Sequence, residues 1–315
     1  MSDVFVASDH FAHASKILQE DAVTMSNISK SFGATQAVDG LQLTIKRGET
    51  VALLGPNGAG KTTTINMLLG LLSPSSGSIQ IFGIEPKKAI QHSLVGAMLQ
   101  EGKMIQGIRV GEFLDFIRNI HPTPLEKSAL MDIAGLHEIA NRRLDRLSGG
   151  QSQRVKFAMA IAGNPDLLLL DEPTSAMDVE SRREFWTSMR SYADAGHTIL
   201  FATHYLEEAE AFASRVVIIH SGRIAIDGTI QDIQQQYGGK QMIFTSSDAS
   251  DFDFTQFPGV QRYEKQNQRI TLHTTDADST IQALITSRCS WQDITITKGN
   301  LENIFLSLIH KGAAQ

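Results

Sequence analysis

The chain is built around Gly55-Pro56-Asn57-Gly58-Ala59-Gly60-Lys61-Thr62-Thr63, which follows an apolar run at residues 51–54 and precedes a helical pattern at residues 64–69. This order fits the pattern G-x-x-x-x-G-K-[ST], in which backbone N–H groups converge on phosphate oxygens at the positive end of a helix. Lys61 would reach the β- and γ-phosphates, and the Thr62 hydroxyl would bind Mg²⁺. The alternative is an ordinary glycine-rich turn between a strand and a helix. The motif predicts a nucleotide-binding protein and leaves the reaction open.

The composition narrows the classes of function. The 315 residues suffice for one large domain and a smaller one. Acidic residues outnumber basic residues 34 to 28, for a net charge of −6, and this balance disfavours a nucleic-acid partner. Cys289 is the only cysteine, which excludes an internal disulfide and a cysteine zinc cluster. The sequence shows no secretory signal and no apolar run near the roughly eighteen residues of a membrane span, so we expect a cytoplasmic protein.

The periodicity of the sequence predicts two domains behind an N-terminal arm. Strand patterns alternate with helical patterns over residues 21–237, which predicts a mainly parallel α/β sheet. After Gly238-Gly239 the pattern changes to short strands and smaller helices, so residues 240–315 are predicted to form a small α+β domain. Residues 1–20 match neither pattern, and we expect them to form the separate arm.

Two helices are predicted in the middle of the larger domain. Phe113, Phe116, Ile117 and Ile120 fall at i, i+3, i+4 and i+7, the spacing of one helical face. We expect the aromatic side chains of this face to lie in the core. A second helix is expected over residues 125–139.

Two acids follow the most apolar run of the chain. Residues 167–170 are four leucines, which indicates a fully buried parallel strand with Asp171 and Glu172 at its C-terminal end. Nucleotide sites lie at that edge of a parallel sheet. His204 follows another strand pattern at residues 198–203. From the residues alone, Asp171 could instead cap a helix, Glu172 could be a surface acid and His204 could be structural.

The most specific motif is Leu147-Ser148-Gly149-Gly150-Gln151, which opens a helical pattern. With the glycine loop, Gln100, Asp171-Glu172 and His204, it stands in the order typical of the ATP-binding-cassette (ABC) ATPases, which the chain resembles from about residue 22 to residue 230. The resemblance implies a P-loop NTPase cassette with a mainly parallel sheet, an antiparallel β part and an inserted helical subdomain at about residues 100–165. It also implies that ATP and Mg²⁺ bind and that ATP is hydrolysed to ADP and phosphate.

The resemblance assigns a role to each matching residue. Asp171 would hold Mg²⁺ through water, and Glu172 would be the general base that polarises the attacking water. His204 would contact the γ-phosphate. Gln100 would contact the Mg²⁺ and the water and would link the site to the helical subdomain, with an ordinary loop amide as its alternative. Phe32 would stack on adenine, with a core phenylalanine as the competing interpretation.

The same resemblance implies a second subunit. In this family the Leu147 to Gln151 motif does not serve the glycine loop of its own chain, and Ser148 and the glycine N–H groups close over ATP bound to the partner. Ser175-Ala176-Met177-Asp178 resembles the loop that crosses between partners, with Met177 where leucine is usual, and it adds Asp178 to the predicted ATP-binding residues. We therefore expect two cassettes, in a homodimer or with a related partner, that close on ATP and open after hydrolysis.

The tail of the chain resembles that of one transporter branch. Residues 301–308 are similar to the C-terminal signature of cassettes from bacterial drug, antibiotic and polysaccharide exporters, although an amphipathic helix packing on its own domain would show the same spacing. An exporter would need a separate polytopic permease docked near residues 100–120, which would place the chain peripherally on the inner face of the membrane. A soluble ABC ATPase and an importer subunit remain the alternatives.

Overall fold

A computed structural model describes residues 21–100, 104–237, 239–298, 301, 302, 304 and 305. They belong to two compact units, Met1–Asp227 and Gly228–Gln315. The helix Ile230–Tyr237, which the sequence pattern placed in the larger domain, groups with the second unit. The predicted arm at residues 1–20 lies outside the described residues.

Strands and helices alternate along the first unit. In chain order its elements are β1 (Asp21–Phe32), β2 (Thr35–Lys46), β3 (Thr50–Leu54), α1 (Lys61–Leu68), β4 (Ser76–Ile81), α2 (Pro86–Gln91), β5 (Val95–Met98), α3 (Val110–Asn119), α4 (Lys127–Ala134), α5 (Gly149–Ile161), β6 (Leu167–Asp171), α6 (Val179–Asp194), β7 (Thr198–Thr203), α7 (Leu206–Phe212), β8 (Arg215–His220) and β9 (Arg223–Gly228). Of the helices in the described ranges, none is long and apolar enough to cross a lipid bilayer.

The central sheet of this unit has six strands in the order β5-β6-β7-β3-β8-β9. The pairs β5/β6, β6/β7, β7/β3 and β3/β8 are parallel. Every residue of β6 and β7 is buried, as expected for strands covered on both faces. Because β3, β6 and β7 point the same way, the glycine loop, Asp171-Glu172 and His204 all meet at one edge of this sheet.

An antiparallel sheet with the strand order β2-β1-β4 packs beside the central sheet. Leu41, Leu43 and Ile45 alternate with less buried residues on β2, so one face of the sheet is apolar. That face shares a core with Ile65 and Leu68 of α1. The antiparallel sheet thereby supports the helix that follows the glycine loop.

The helical segment differs from its prediction in two places. Phe113 and Ile117 are buried on α3, but Phe116 is 57% exposed and Ile120 is 63% exposed, so the expectation that both aromatics lie in the core is wrong. In the structure the buried stripe of α3 is completed by other residues of the helix, such as Val110 and Leu114.

The helix predicted at residues 125–139 is also shorter than expected. α4 ends at Ala134 because Gly135 takes the left-handed conformation that terminates helices. A 3₁₀ turn at His137–Ile139 follows it.

The second unit is built on a four-stranded antiparallel sheet in the order β11-β12-β10-β13. Its elements are α8 (Ile230–Tyr237), β10 (Lys240–Thr245), β11 (Val260–Gln266), β12 (Arg269–Thr274), α9 (Ala277–Thr286) and β13 (Gln292–Lys298). Phe244, Phe254, Leu272 and Leu284 lie in its core. Much of the exporter-like signature at residues 301–308 lies outside the described residues.

Gly96 gives a test of how closely α5 packs on the edge of the central sheet. A Cβ at Gly96 would lie 2.0 Å from the Ala160 carbonyl oxygen and 2.7 Å from Cγ of Pro165. We expect Gly96→Ala to lower the free energy of unfolding by about 1–3 kcal/mol, measured by urea denaturation, because backbone must move. In the control Gly228→Ala, the new Cβ would meet Ile233 at an ordinary 3.6 Å. Equal stability of the two variants would contradict the prediction.

Candidate active site

The glycine loop connects β3 to α1 at the C-terminal edge of the central sheet. Gly60 precedes the helix with a φ of 106°, in the left-handed region. A Cβ at Gly60 would lie 2.5 Å from the Ala37 carbonyl oxygen, so glycine alone fits this position. The loop thus leads directly into the N-terminus of α1, whose first N–H groups have no partners within the helix and can bind an anion.

A cavity of about 520 Å³ lies against this loop. It is lined by Phe32, Ala37, Asn57, Gly58, Ala59, Gly60, Lys61, Thr62, Thr63, Gln100, Glu172 and His204. Five stretches that are far apart in sequence therefore meet at one site. Ala37 was missed by the sequence reasoning, since a small apolar residue on a strand gives no functional signal.

Lys61 is held against the loop that carries it. Its Nζ donates to the carbonyl oxygens of Gly55 at 2.8 Å and Pro56 at 3.2 Å. Burial lowers the pKa of the Lys61 amine, and the carboxylates of Glu172 and Asp171 act against that shift. The amine is therefore tethered beside the phosphate-binding loop and close to both acids.

Asp171 has the properties of a cation ligand. The residue is 1% exposed, and its Oδ1 has no hydrogen-bond partner among the described residues. Burial raises the pKa of its carboxyl group, a hydrogen bond from the Thr62 hydroxyl lowers it, and the charge of Glu172 raises it further. An orphaned buried carboxylate oxygen beside a hydroxyl suits a hard divalent cation, so these residues fit Mg²⁺.

Glu172 is fixed from several directions. Its φ of 49° is in the left-handed region, which is uncommon for glutamate, and its N–H donates to the Ala202 carbonyl oxygen at 2.9 Å. His204 Nδ1 lies 2.9 Å from Oε1, and Gln100 Nε2 donates to Oε2 at 3.2 Å. The histidine and the amide thus hold one carboxylate oxygen each at the wall of the cavity.

Phe32 lies at the end of β1 and lines the same cavity. Its side chain is 48% exposed, so the alternative of a core phenylalanine is wrong. Lys30 Nζ lies 5.3 Å from the ring centroid. A flat aromatic ring at the rim can stack on a planar base.

The Leu147 to Gln151 motif has a different position. Ser148 is the N-cap of α5: its hydroxyl accepts from the Gln151 N–H at 3.2 Å, and the Gln151 Oε1 accepts from the Ser148 N–H at 3.1 Å. Gly149 and Ser148 are exposed, and Gly150 is buried. Among the described residues that line the cavity, none comes from this motif.

Asp178 also lies outside the cavity lining and caps a helix. Its carboxylate accepts from the Ser181 N–H at 2.8 Å and from the Ser181 hydroxyl at 3.0 Å, at the start of α6. These bonds hold the pKa of the Asp178 carboxyl below its ordinary value. Within this chain the residue therefore acts as an N-cap.

Sequence reasoning also missed a buried polar group beside the site. Glu208 is 3% exposed, and its carboxylate accepts from the hydroxyls of Thr174 and Thr203. It stands in an acidic stretch of α7 with Glu207 and Glu210, which are exposed. Composition alone cannot distinguish these three glutamates, so the burial of Glu208 could not be predicted from the sequence.

Comparison with known proteins identifies the family. Residues 38–175 match the model described as ABC transporter. Nod factor export ATP-binding protein I of Paraburkholderia xenovorans (strain LB400) is 32% identical over 299 residues, which are 92% of this chain and 98% of that protein. ABC transporter G family member 20 of Dictyostelium discoideum is 34% identical over 69% of this chain, which spans only 30% of that longer protein.

Solved structures agree with this result. A dimeric structure of a post-hydrolysis state of an ATP-binding cassette, bound to ADP and Pi, matches with a TM-score of 0.60 and 26% identity over 66% of this chain and 98% of that one. The predicted fold class and the predicted ATPase activity are confirmed. The chain belongs to the ABC transporter family, as an ATP-binding cassette that hydrolyses ATP.

Proposed function

We propose that the chain powers an exporter by hydrolysing ATP in the cavity between the glycine loop, Gln100, Glu172 and His204. The observation that carries the hydrolytic part of this proposal is the fixed carboxylate of Glu172, which has a hydrogen-bonded group on each oxygen and lines the same cavity as the loop that would hold the phosphates. The N-terminus of α1 and Lys61 would bind the β- and γ-phosphates. Phe32 would hold adenine at the rim.

The site residues have separate tasks in hydrolysis. Glu172 would accept a proton from the attacking water, since an oriented carboxylate within hydrogen-bond reach is a general base. Gln100 and His204 would keep that carboxylate turned towards the water, and His204 is exposed enough to reach the γ-phosphate as well. Thr62, Asp171 and Gln100 would hold Mg²⁺, which when bound offsets the negative charge of the phosphates.

A complete site would need a second cassette. Ser148 and Gly149 are exposed at the N-terminus of α5, where a helix offers N–H groups to an anion, yet they do not line the cavity of their own chain. We propose that they cover ATP bound to a partner subunit, with Asp178 near the same interface. Loss of the γ-phosphate would remove the bridge between the two subunits, and their opening would drive the permease.

Export is favoured over the alternatives by the likeness to the Nod factor export protein, because that match covers 98% of the relative and includes this chain's second unit. An importer subunit and a soluble ABC ATPase would share the same motifs. The transport assignment therefore needs a test of its own.

A docking face for the permease is proposed on the helical segment. Ile105 is 55% exposed, and it stands with Phe116 and Ile120 in the segment that follows Gln100. Large exposed apolar side chains favour contact with another protein. Docking there would keep the chain at the inner face of the membrane. The permease would then contact the segment that directly follows Gln100, a residue of the active site.

We expect the tagged chain to co-purify from detergent-solubilised membranes with a protein of about six apolar spans of 18 or more residues. Phe116→Asp should reduce that recovery because it places a charge on the proposed apolar face. The matched control is Leu71→Asp, a change at an apolar residue that is 63% exposed elsewhere on the unit. Recovery of soluble partners alone would rule out the exporter assignment while leaving the ATPase site untouched.

A further inference from the structure

Glu208 is the buried member of an otherwise exposed acidic stretch. It lies on α7 and is 3% exposed, whereas Glu207 and Glu210 are exposed. Removing a carboxylate from water is unfavourable unless hydrogen bonds or opposite charges compensate it. The buried Glu208 carboxylate therefore needs hydrogen-bond donors and an opposite charge close to it.

Those partners come from the turn after β6 and from the end of β7. The Thr174 hydroxyl donates to Oε1, and the Thr203 hydroxyl donates to Oε2 at 2.7 Å. Both threonines are 1% exposed. The Thr203 hydroxyl also accepts from the Tyr205 N–H at 3.0 Å. Arg182 Nε lies 3.6 Å from Oε1 and balances the charge.

Each threonine adjoins a residue of the hydrolytic site. Thr174 stands two residues after Glu172 in the turn that follows β6, and Thr203, the last residue of β7, immediately precedes His204. The Glu208 carboxylate therefore links the turn that carries Glu172 to the end of β7, next to His204. We call Thr174, Thr203 and Glu208 the Glu208 clamp.

We propose that Glu208 is a positioning residue for hydrolysis: the Glu208 clamp holds Glu172 and His204 at the 2.9 Å contact seen between them. This inference rests on the proposed roles of those two residues. Glu172 has a left-handed φ, which persists only when the surroundings hold it. Glu208 is absent from the described lining of the cavity, so it acts through its neighbours.

The test replaces Glu208 with glutamine in the full-length chain. The carbonyl oxygen of glutamine can accept one threonine hydroxyl, but its NH₂ group cannot accept the other. We expect kcat per ATP-binding site to fall at least about tenfold while the Kd for ATP stays within about twofold, because misplacing a catalytic group affects the chemical step. ATP-binding sites are counted by equilibrium dialysis, which corrects for misfolded protein. Glu207→Gln, on the exposed face of the same helix, should leave both values unchanged.

Two substitutions of Thr203 distinguish the loss of a positioning hydrogen bond from the loss of packing. Thr203→Ser keeps the hydroxyl and should stay within about threefold of the wild-type kcat. Thr203→Val keeps the shape but loses both the donor to Glu208 and the acceptor of the Tyr205 N–H, so its kcat should fall at least as far as that of Glu208→Gln. The double variant Glu208→Gln/Thr203→Val should be no worse than Thr203→Val alone, since both changes break the same clamp.

Two results would overturn the inference. One is a wild-type kcat per site in Glu208→Gln, and the other is an equal loss in Thr203→Ser and Thr203→Val, which would indicate packing. Failure of the proposed function is recognised separately, because it would appear as normal turnover in Glu172→Gln. If Glu172→Gln is inactive and Glu208→Gln is fully active, the clamp alone is wrong.

Discussion

Replacing Glu172 with glutamine is expected to abolish ATP turnover and to trap an ATP-bound dimer. Glutamine has the same shape and keeps an oxygen that can accept the hydrogen bond from His204, but it cannot take up the proton of the attacking water. Loss of a general base lowers the rate by about 10²- to 10⁴-fold. ATP binding should remain, because Lys61 and the glycine loop are unchanged.

Two measurements check this result. Phosphate release gives the turnover, and size-exclusion chromatography with light scattering in the presence of ATP gives the fraction of dimer. Glu207→Gln is the control, since it removes one exposed carboxylate of the same unit. A Glu172→Gln variant that hydrolyses ATP at the wild-type rate would refute the assignment of the base.

Ser148→Asp is expected to prevent ATP-driven dimer formation without unfolding the chain. Aspartate caps a helix as well as serine does, so the change in unfolding free energy should stay within about 0.5 kcal/mol. If Ser148 covers the partner's ATP, the new charge would face a phosphate. Like charges brought together at an interface cost several kcal/mol, which predicts a loss of turnover of at least about a hundredfold.

Ser148→Asn is the matched control, because asparagine caps the helix and adds no charge. Turnover is measured on each variant alone, and dimer formation is measured in the Glu172→Gln background. ATP binding to the single subunit should be unchanged in both variants, since Ser148 lies outside the cavity of its own chain. Wild-type turnover in both the aspartate and the asparagine variants would contradict the proposal that Ser148 covers the partner's ATP.

The parts of the site that could be predicted from the sequence are short, contiguous motifs. The glycine loop, the buried leucines before Asp171 and the Leu147 to Gln151 motif at the start of a helix each depend on neighbours within a few residues, so motif spacing and local periodicity identify them. The family assignment follows from these motifs and their order. The comparisons confirm that assignment.

Burial was harder to predict, because it depends on what packs against an element. Phe113 and Phe116 share a helical spacing, yet Phe113 is buried and Phe116 is 57% exposed. Glu207 and Glu208 are adjacent and chemically identical, yet their environments are opposite. A periodic pattern identifies an amphipathic helix and does not fix which residues at the margins of its apolar face find neighbours.

From its sequence, the chain can be identified as an ABC ATPase with a phosphate-binding loop, an acidic pair after a buried strand and the Leu147 to Gln151 motif at the start of a helix. The strand order β5-β6-β7 then brings Glu172 next to His204, 32 residues away, and next to Gln100, 72 residues away. The fold also buries Glu208 against the strand ends that carry two of these residues. Such contacts are set by long-range strand pairing, and no local pattern encodes which strand lies beside which.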